Sequence, residues 1–101
     1  MSERIEKLRD AVQVAHRCTA VHIQSVPVVE MFGSLTAWEG VVEVFNITGH
    51  SKAKRCYAWY YPDKGEAQFT TVLEIPPVVS PQTAVRAAIV ATDKSKSGSK
   101  P

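Results

Sequence analysis

The sequence predicts an α+β domain of element order α-β-β-β-β-α, a four-stranded antiparallel meander with two helices packed on one face. Three observations carry that prediction. Apolar residues recur at three- and four-residue spacing at both ends of the chain. Between about residues 19 and 75 the period changes to two. The period-two stretch is interrupted by short glycine- and proline-bearing segments of hairpin length.

Residues 2 to about 16 predict the first helix. Ile5, Leu8, Val12 and Ala15 form one apolar face, with Ala11 beside them. Ser2 suits the N-cap and Glu3 the first turn, while His16 and Arg17 suit the last. TAVHIQS and VVEMF then predict one long strand over 19–32, with a bulge near Pro27, which cannot donate a ladder hydrogen bond. GSL is a short connection, 36–47 the second strand, TGHSK a turn, and 53–61 the third strand. PDKG at 62–65 is a turn signal, and 66–75 is the fourth strand. After an extended PPVV linker, Ser80 caps a second helix with Pro81 at its first position; Val85, Ala88, Ile89 and Thr92 share one face. The folded domain is expected over 1–92, with 93–101 a disordered polar tail.

A chain of 101 residues has room for one domain and a single modest core. Twelve basic against ten acidic side chains give a formal charge of +2. Lys94, Lys96 and Lys100 in the tail supply part of that excess, so the body is close to neutral and argues weakly for a nucleic-acid partner. The charged N-terminus has no signal-peptide core, and no apolar run is long enough to span a bilayer. Cys18 and Cys56 form no CxxC pair. The expectation is a cytoplasmic protein with reduced thiols and no membrane partner.

Hairpin geometry then assigns faces. With PDKG as the turn, Tyr61 lies opposite Glu66, which places Cys56, Ala58, Phe69, Thr71 and Leu73 on one face and Arg55, Tyr57 and Trp59 on the other. With TGHSK centred on His50, Val42 and Val44 join the first face, and Glu39, Val41, Glu43 and Phe45 join the second. The small residues Gly40, Cys56 and Ala58 match an alanine-rich helix, so both helices are expected on the first face. The second would then carry Val41, Phe45, Tyr57, Trp59 and Tyr61 uncovered, with Arg55 beside them. Large aromatics each bury roughly 150–250 Å² when covered, and a monomer rarely leaves so large a patch open. This predicts a small non-enzymatic binding protein that homodimerises through that face or a strand edge. A pocket lined by Tyr57, Trp59, Phe45 and Glu43 would suit an apolar or cationic small ligand.

Two other functions stay open. The segment GHSKAKRCYAWYY sets cations beside aromatic rings, so His50, Lys52, Lys54 and Arg55 could contact nucleic acid. The same face carries Glu39, Glu43, Glu66 and Glu74 against Arg55 alone, which disfavours phosphates on the sheet and leaves the turn. If the bulge near Pro27 flips strand parity, Val21 and Ile23 turn to the core and His22 joins Glu43, an acid-base pair for a small enzyme. His16, Cys18, His22, His50 and Cys56 lack a zinc-site spacing, so neither metal nor cofactor is expected. Cys56 reads as an inert core thiol, and Cys18 lies near a helix C-terminus, where the dipole disfavours thiolate. Gly33, Gly49 and Gly65 read as turn glycines, and Gly40 as a bulge or a packing gap under Trp38.

Overall fold

The computed structural model of the chain describes residues 3–98, the side chains at 32, 62, 63 and 91–98 excepted. The elements are α1 (Glu3–His16), β1 (Thr19–Phe32), β2 (Leu35–Thr48), β3 (Arg55–Asp63), β4 (Glu66–Leu73) and α2 (Pro81–Gly98). The strands form one antiparallel sheet in the order β1-β2-β3-β4. The expected element order and meander are therefore present.

Local chemistry accounts for the helix ends. Glu3 and Glu6 sit in the first turn of α1, where carboxylates complement the dipole. The helix stops at Arg17, whose φ of 51° is left-handed, and Cys18 N–H donates back to the Gln13 carbonyl at 3.3 Å. The expected cap Ser2 lies outside the described residues. At α2, Thr83 N–H donates to Ser80 Oγ (3.2 Å), and Ser80 N–H donates to Thr83 Oγ1 (2.9 Å). This reciprocal cap satisfies amides that the first turn leaves without partners. The helix continues past Thr92 to Gly98, because 93–97 contain neither glycine nor proline to stop it. Of the expected disordered tail, 93–98 are thus helical, and 99–101 lie outside the described residues.

The turns differ from expectation in ways that decide the faces. Between β3 and β4, Lys64 and Gly65 both have positive φ (54° and 80°), so the turn has two residues, and Pro62 and Asp63 remain in the ladder. Tyr61 lies opposite Gln68 rather than Glu66, a two-residue shift that keeps side chains on their faces. Between β2 and β3, Glu43 lies opposite Ala58 and Phe45 opposite Cys56, one residue away from the expected register. With a side-chain period of two, that single residue moves every β2 side chain to the other face.

The placement of both helices on one face is therefore corrected. Phe45 and Ile47 share a face with Ala20, Cys56 and Ala58, and α1 covers it with Leu8 and Val12. Val42 and Val44 share the opposite face with Val28, Tyr57 and Trp59, and α2 covers it with Ala84 and Val85. Both faces are apolar, so each needs its own layer. On its face α1 lies over the start of β1 and the end of β2, and on the other face α2 lies over the middle of the β1–β2 hairpin. Full burial of side chains such as Leu8, Val12, Val42 and Val85 contributes about 1.5–3 kcal/mol each.

Specific contacts hold α2 in place. Arg86 Nε donates to Glu30 Oε1 at 3.1 Å, and Gln82 Nε2 donates to Glu30 Oε2. The Arg86 hydrogen bond, then that from Gln82, hold the Glu30 carboxyl below its ordinary value. Trp38 stands edge-on to Trp59, ring centroids 5.8 Å apart, and lies over Gly40. A Cβ at Gly40 would meet the Trp38 ring at 2.8 Å, so glycine there is a packing gap under the indole, as the sequence suggested. Tyr57 donates its hydroxyl to Glu74; burial, then that carboxylate, pushes the phenol up to about 12.

Candidate functional site on the open end of the α1 face

β1 and β2 each run 14 residues, longer than β3 and β4, and the far end of their hairpin projects beyond α1. On the α1 side of that end lie Pro27 opposite Val41 and Val29 opposite Glu39, with Met31 next along β1. Val29 is 46 % exposed, Met31 49 % and Val41 46 %. None of them belongs to either core cluster. A half-exposed apolar strip thus continues the face on which α1 packs.

At the boundary between the strip and the core sits a polar cluster. His22 Nε2 donates to Glu43 Oε1 at 2.8 Å, and Ser25 Oγ donates to the same oxygen. Their side chains are largely buried, 15 % exposed for His22 and 12 % for Glu43. The imidazole stands edge-on to Phe45, centroids 5.4 Å apart. A bulge between His22 and Gln24 explains the cluster. Simple alternation would send residues 22 and 25 to opposite faces, but the extra residue at Ile23 brings both beside Glu43. The bulge expected at Pro27 is thereby corrected: Pro27 stays in register opposite Val41, and the irregularities lie at Ile23 and between Glu30 and Met31. Val21 and Ile23, expected in the core, are 59 % and 40 % exposed.

The predicted interface residues separate. Phe45 is fully buried under α1, whereas Tyr57 and Trp59 are buried under α2, at 1 % and 3 % exposure. Tyr61, half-buried, alternates with them on the α2 side. Arg55 lies on that side too, its Nη1 3.9 Å from a Glu74 oxygen and its Nε 3.5 Å from Asn46 Oδ1. Val41 alone of the six is an exposed apolar residue on the α1 side. The pocket expected between Tyr57, Trp59, Phe45 and Glu43 does not form, because the first pair and the second face opposite ways.

The basic turn is partly committed. His50 Nδ1 accepts from the backbone amides of Lys52 (3.1 Å) and Ala53 (3.0 Å). Lys52 and Lys54 are exposed. Elsewhere on the α1 face, an open depression of about 840 Å³ is lined by Glu3, Arg4, Lys7, Tyr60, Ala67 and Phe69. The Arg4 guanidinium already lies 4.9 Å above the Tyr60 ring, where a cationic ligand would sit.

Among the described residues, no three His, Cys, Asp or Glu side chains converge to hold a metal ion. No described helix is long and apolar enough to cross a membrane. Both cysteines are free thiols. Burial pushes Cys56 up to about 12, and burial raises Cys18 as well. Chemically, a carboxylate that fixes an imidazole through Nε2 leaves Nδ1 as the basic lone pair. A histidine and a carboxylate so paired are the groups that general acid-base chemistry uses. Compared with protein-family models, curated proteins and solved structures, the chain matches none of them.

Proposed function

We propose that the chain is a small non-enzymatic interaction protein of the cytoplasm that forms a homodimer. Its contact surface is the open end of the β1–β2 hairpin on the α1 side, with Pro27, Val29, Met31 and Val41 at its centre. The carrying observation is that strip of roughly half-exposed apolar side chains at the end of the sheet that α1 does not reach. Such a strip, continuous with a core face, is the kind of surface a monomer rarely leaves in water. A two-fold axis through it would set the strip against its own copy, each strand residue meeting its equivalent surface. The edge of β1 is the weaker alternative, because Pro27 removes an amide from the middle of that strand. Free thiols and the lack of a described membrane-spanning helix are in keeping with the compartment.

Light scattering across a dilution series tests this reading. The wild-type chain should show twice the mass of one chain, and a Val29→Lys, Val41→Lys chain should be monomeric with an unchanged thermal melt. A wild-type chain that is monomeric at every concentration would overturn it.

The His22–Glu43 hydrogen bond favours a second reading, general acid-base catalysis on a substrate resting against the strip. A panel of hydrolysis and isomerisation assays should then show an activity that falls about 10²–10⁴-fold in His22→Gln and in Glu43→Gln. The same rate in the wild type and in both variants across the panel removes this reading.

A further inference from the structure

The turn between β2 and β3 is held by a ring whose protonation state the geometry defines. His50 Nδ1 accepts two hydrogen bonds, from Lys52 N–H at 3.1 Å and Ala53 N–H at 3.0 Å. A nitrogen that accepts cannot carry a proton, so this ring is the neutral tautomer with its hydrogen on Nε2. The two amides tie residues 50 to 53 into a closed loop. Ile47 N–H, donating to the Lys54 carbonyl at 2.9 Å, continues the closure into the sheet. Ala53, 3 % exposed, plugs the core cluster beneath α1 together with Phe45, Ile47 and Cys56.

A second imidazole faces the first. His16, in the last turn of α1, stands edge-on to His50 with ring centroids 6.4 Å apart. Its Nε2 is 2.9 Å from the Thr71 hydroxyl of β4. The two rings therefore join α1, the turn and β4 at one point. The facing titratable group on α1 is His16, with Arg17 next along the chain; β4 offers the neutral Thr71; the turn itself carries Lys52 and Lys54. Among the described residues no carboxylate pairs with either ring.

We propose that His50 and His16 form a proton-sensitive latch, which keeps the 49–54 turn docked on the α1 face while both rings are neutral and releases it on acidification. A proton on His50 Nδ1 removes the lone pair that both amides use, leaving two donors facing a third. A proton on His16 sets a cation against the same ring. Burial, and after it the facing His50, lower His16 from the ordinary imidazole value. The sign follows: the unfolded or opened chain binds protons that the closed form refuses, so closure weakens as pH falls below the ordinary imidazole range. Release would expose the Ala53 plug, which lies between the already exposed Lys52 and Lys54. The latch stands independently of the dimer reading, since it lies at the other end of the sheet.

The test is amide hydrogen exchange, with ring nitrogen shifts, on the full ¹⁵N-labelled chain from neutral to mildly acidic pH. The Lys52 and Ala53 amides should lose protection, relative to their intrinsic rates, by about tenfold per pH unit once the ring nitrogen shifts report imidazolium. His50→Asn supplies a side-chain oxygen where Nδ1 stands and cannot titrate, so its turn amides should stay protected across the range. His16→Gln, which keeps a donor for Thr71, should shift the opening to lower pH. Protection that persists in the wild type after the ring nitrogen shifts report imidazolium would overturn the latch. So would turn opening that is unchanged in His50→Asn.

Discussion

Trp59→Ala should destabilise the chain by about 3–5 kcal/mol, the range for removing a buried large aromatic. The indole is 3 % exposed and packs with Val42, Val44, Tyr57 and Val85 in the cluster that α2 covers. It also meets the Trp38 ring edge-on at 5.8 Å, a contact worth about 0.5–1.5 kcal/mol beyond area. Domains of this size are stable by only about 5–15 kcal/mol, so one truncation takes much of the total. Urea unfolding followed by circular dichroism gives the value, and a loss below about 1 kcal/mol would mean α2 does not cover this face. Trp59→Glu separates the two pictures of the sheet. On an open aromatic face the charge would break association and leave the fold intact. Buried as here, it places a carboxylate in an apolar core without a partner and should unfold the chain.

Phe45→Ala is expected to cost a similar 3–5 kcal/mol on the opposite face. Its ring is fully buried under Leu8 and Val12, and it also borders the candidate site through its edge contact with His22, at 5.4 Å. Phe45→Leu divides the two roles. A volume-conserving aliphatic should cost less than about 1.5 kcal/mol, while the imidazole loses the ring that fixes its plane. The His22 nitrogen resonances should then report a mixed tautomer population in Phe45→Leu, against a single one with Nε2–H in the wild type. A Phe45→Leu chain whose His22 shifts match the wild type would show that Glu43 alone sets the ring.

The two substitutions mark where sequence reading succeeds and where it stops. Helices and strands are legible in periodicity, and the caps in local chemistry: Ser80 and Pro81 announce α2 as they stand in the structure. The pairing of His22 with Glu43 was within reach only on condition of a parity-flipping bulge in the first strand; the bulge exists, but at Ile23 rather than near Pro27. Ser25 was not. Its place beside Glu43 depends on one extra residue at Ile23, and nothing in VHIQS distinguishes a bulge there from one at Pro27. The aromatic face failed for a related reason. Tyr57, Trp59 and Tyr61 do share a face, but which β2 residues accompany them depends on whether the TGHSK turn is centred on His50 or half a residue later. The His50 ring, taking two turn amides on its Nδ1, accompanies the later register.

By itself, then, the sequence determined the element types, their order, the antiparallel meander, the Ser80 cap of α2 and the glycine under Trp38. These depend on interactions spanning a few residues, or on alternation within one strand. Tertiary structure decided the strand registers, the assignment of one helix to each face, and the location of the open apolar strip. A β-strand presents its side chains with a period of two, so a one-residue difference in a turn has almost no local signature and yet exchanges everything that lies inside and outside.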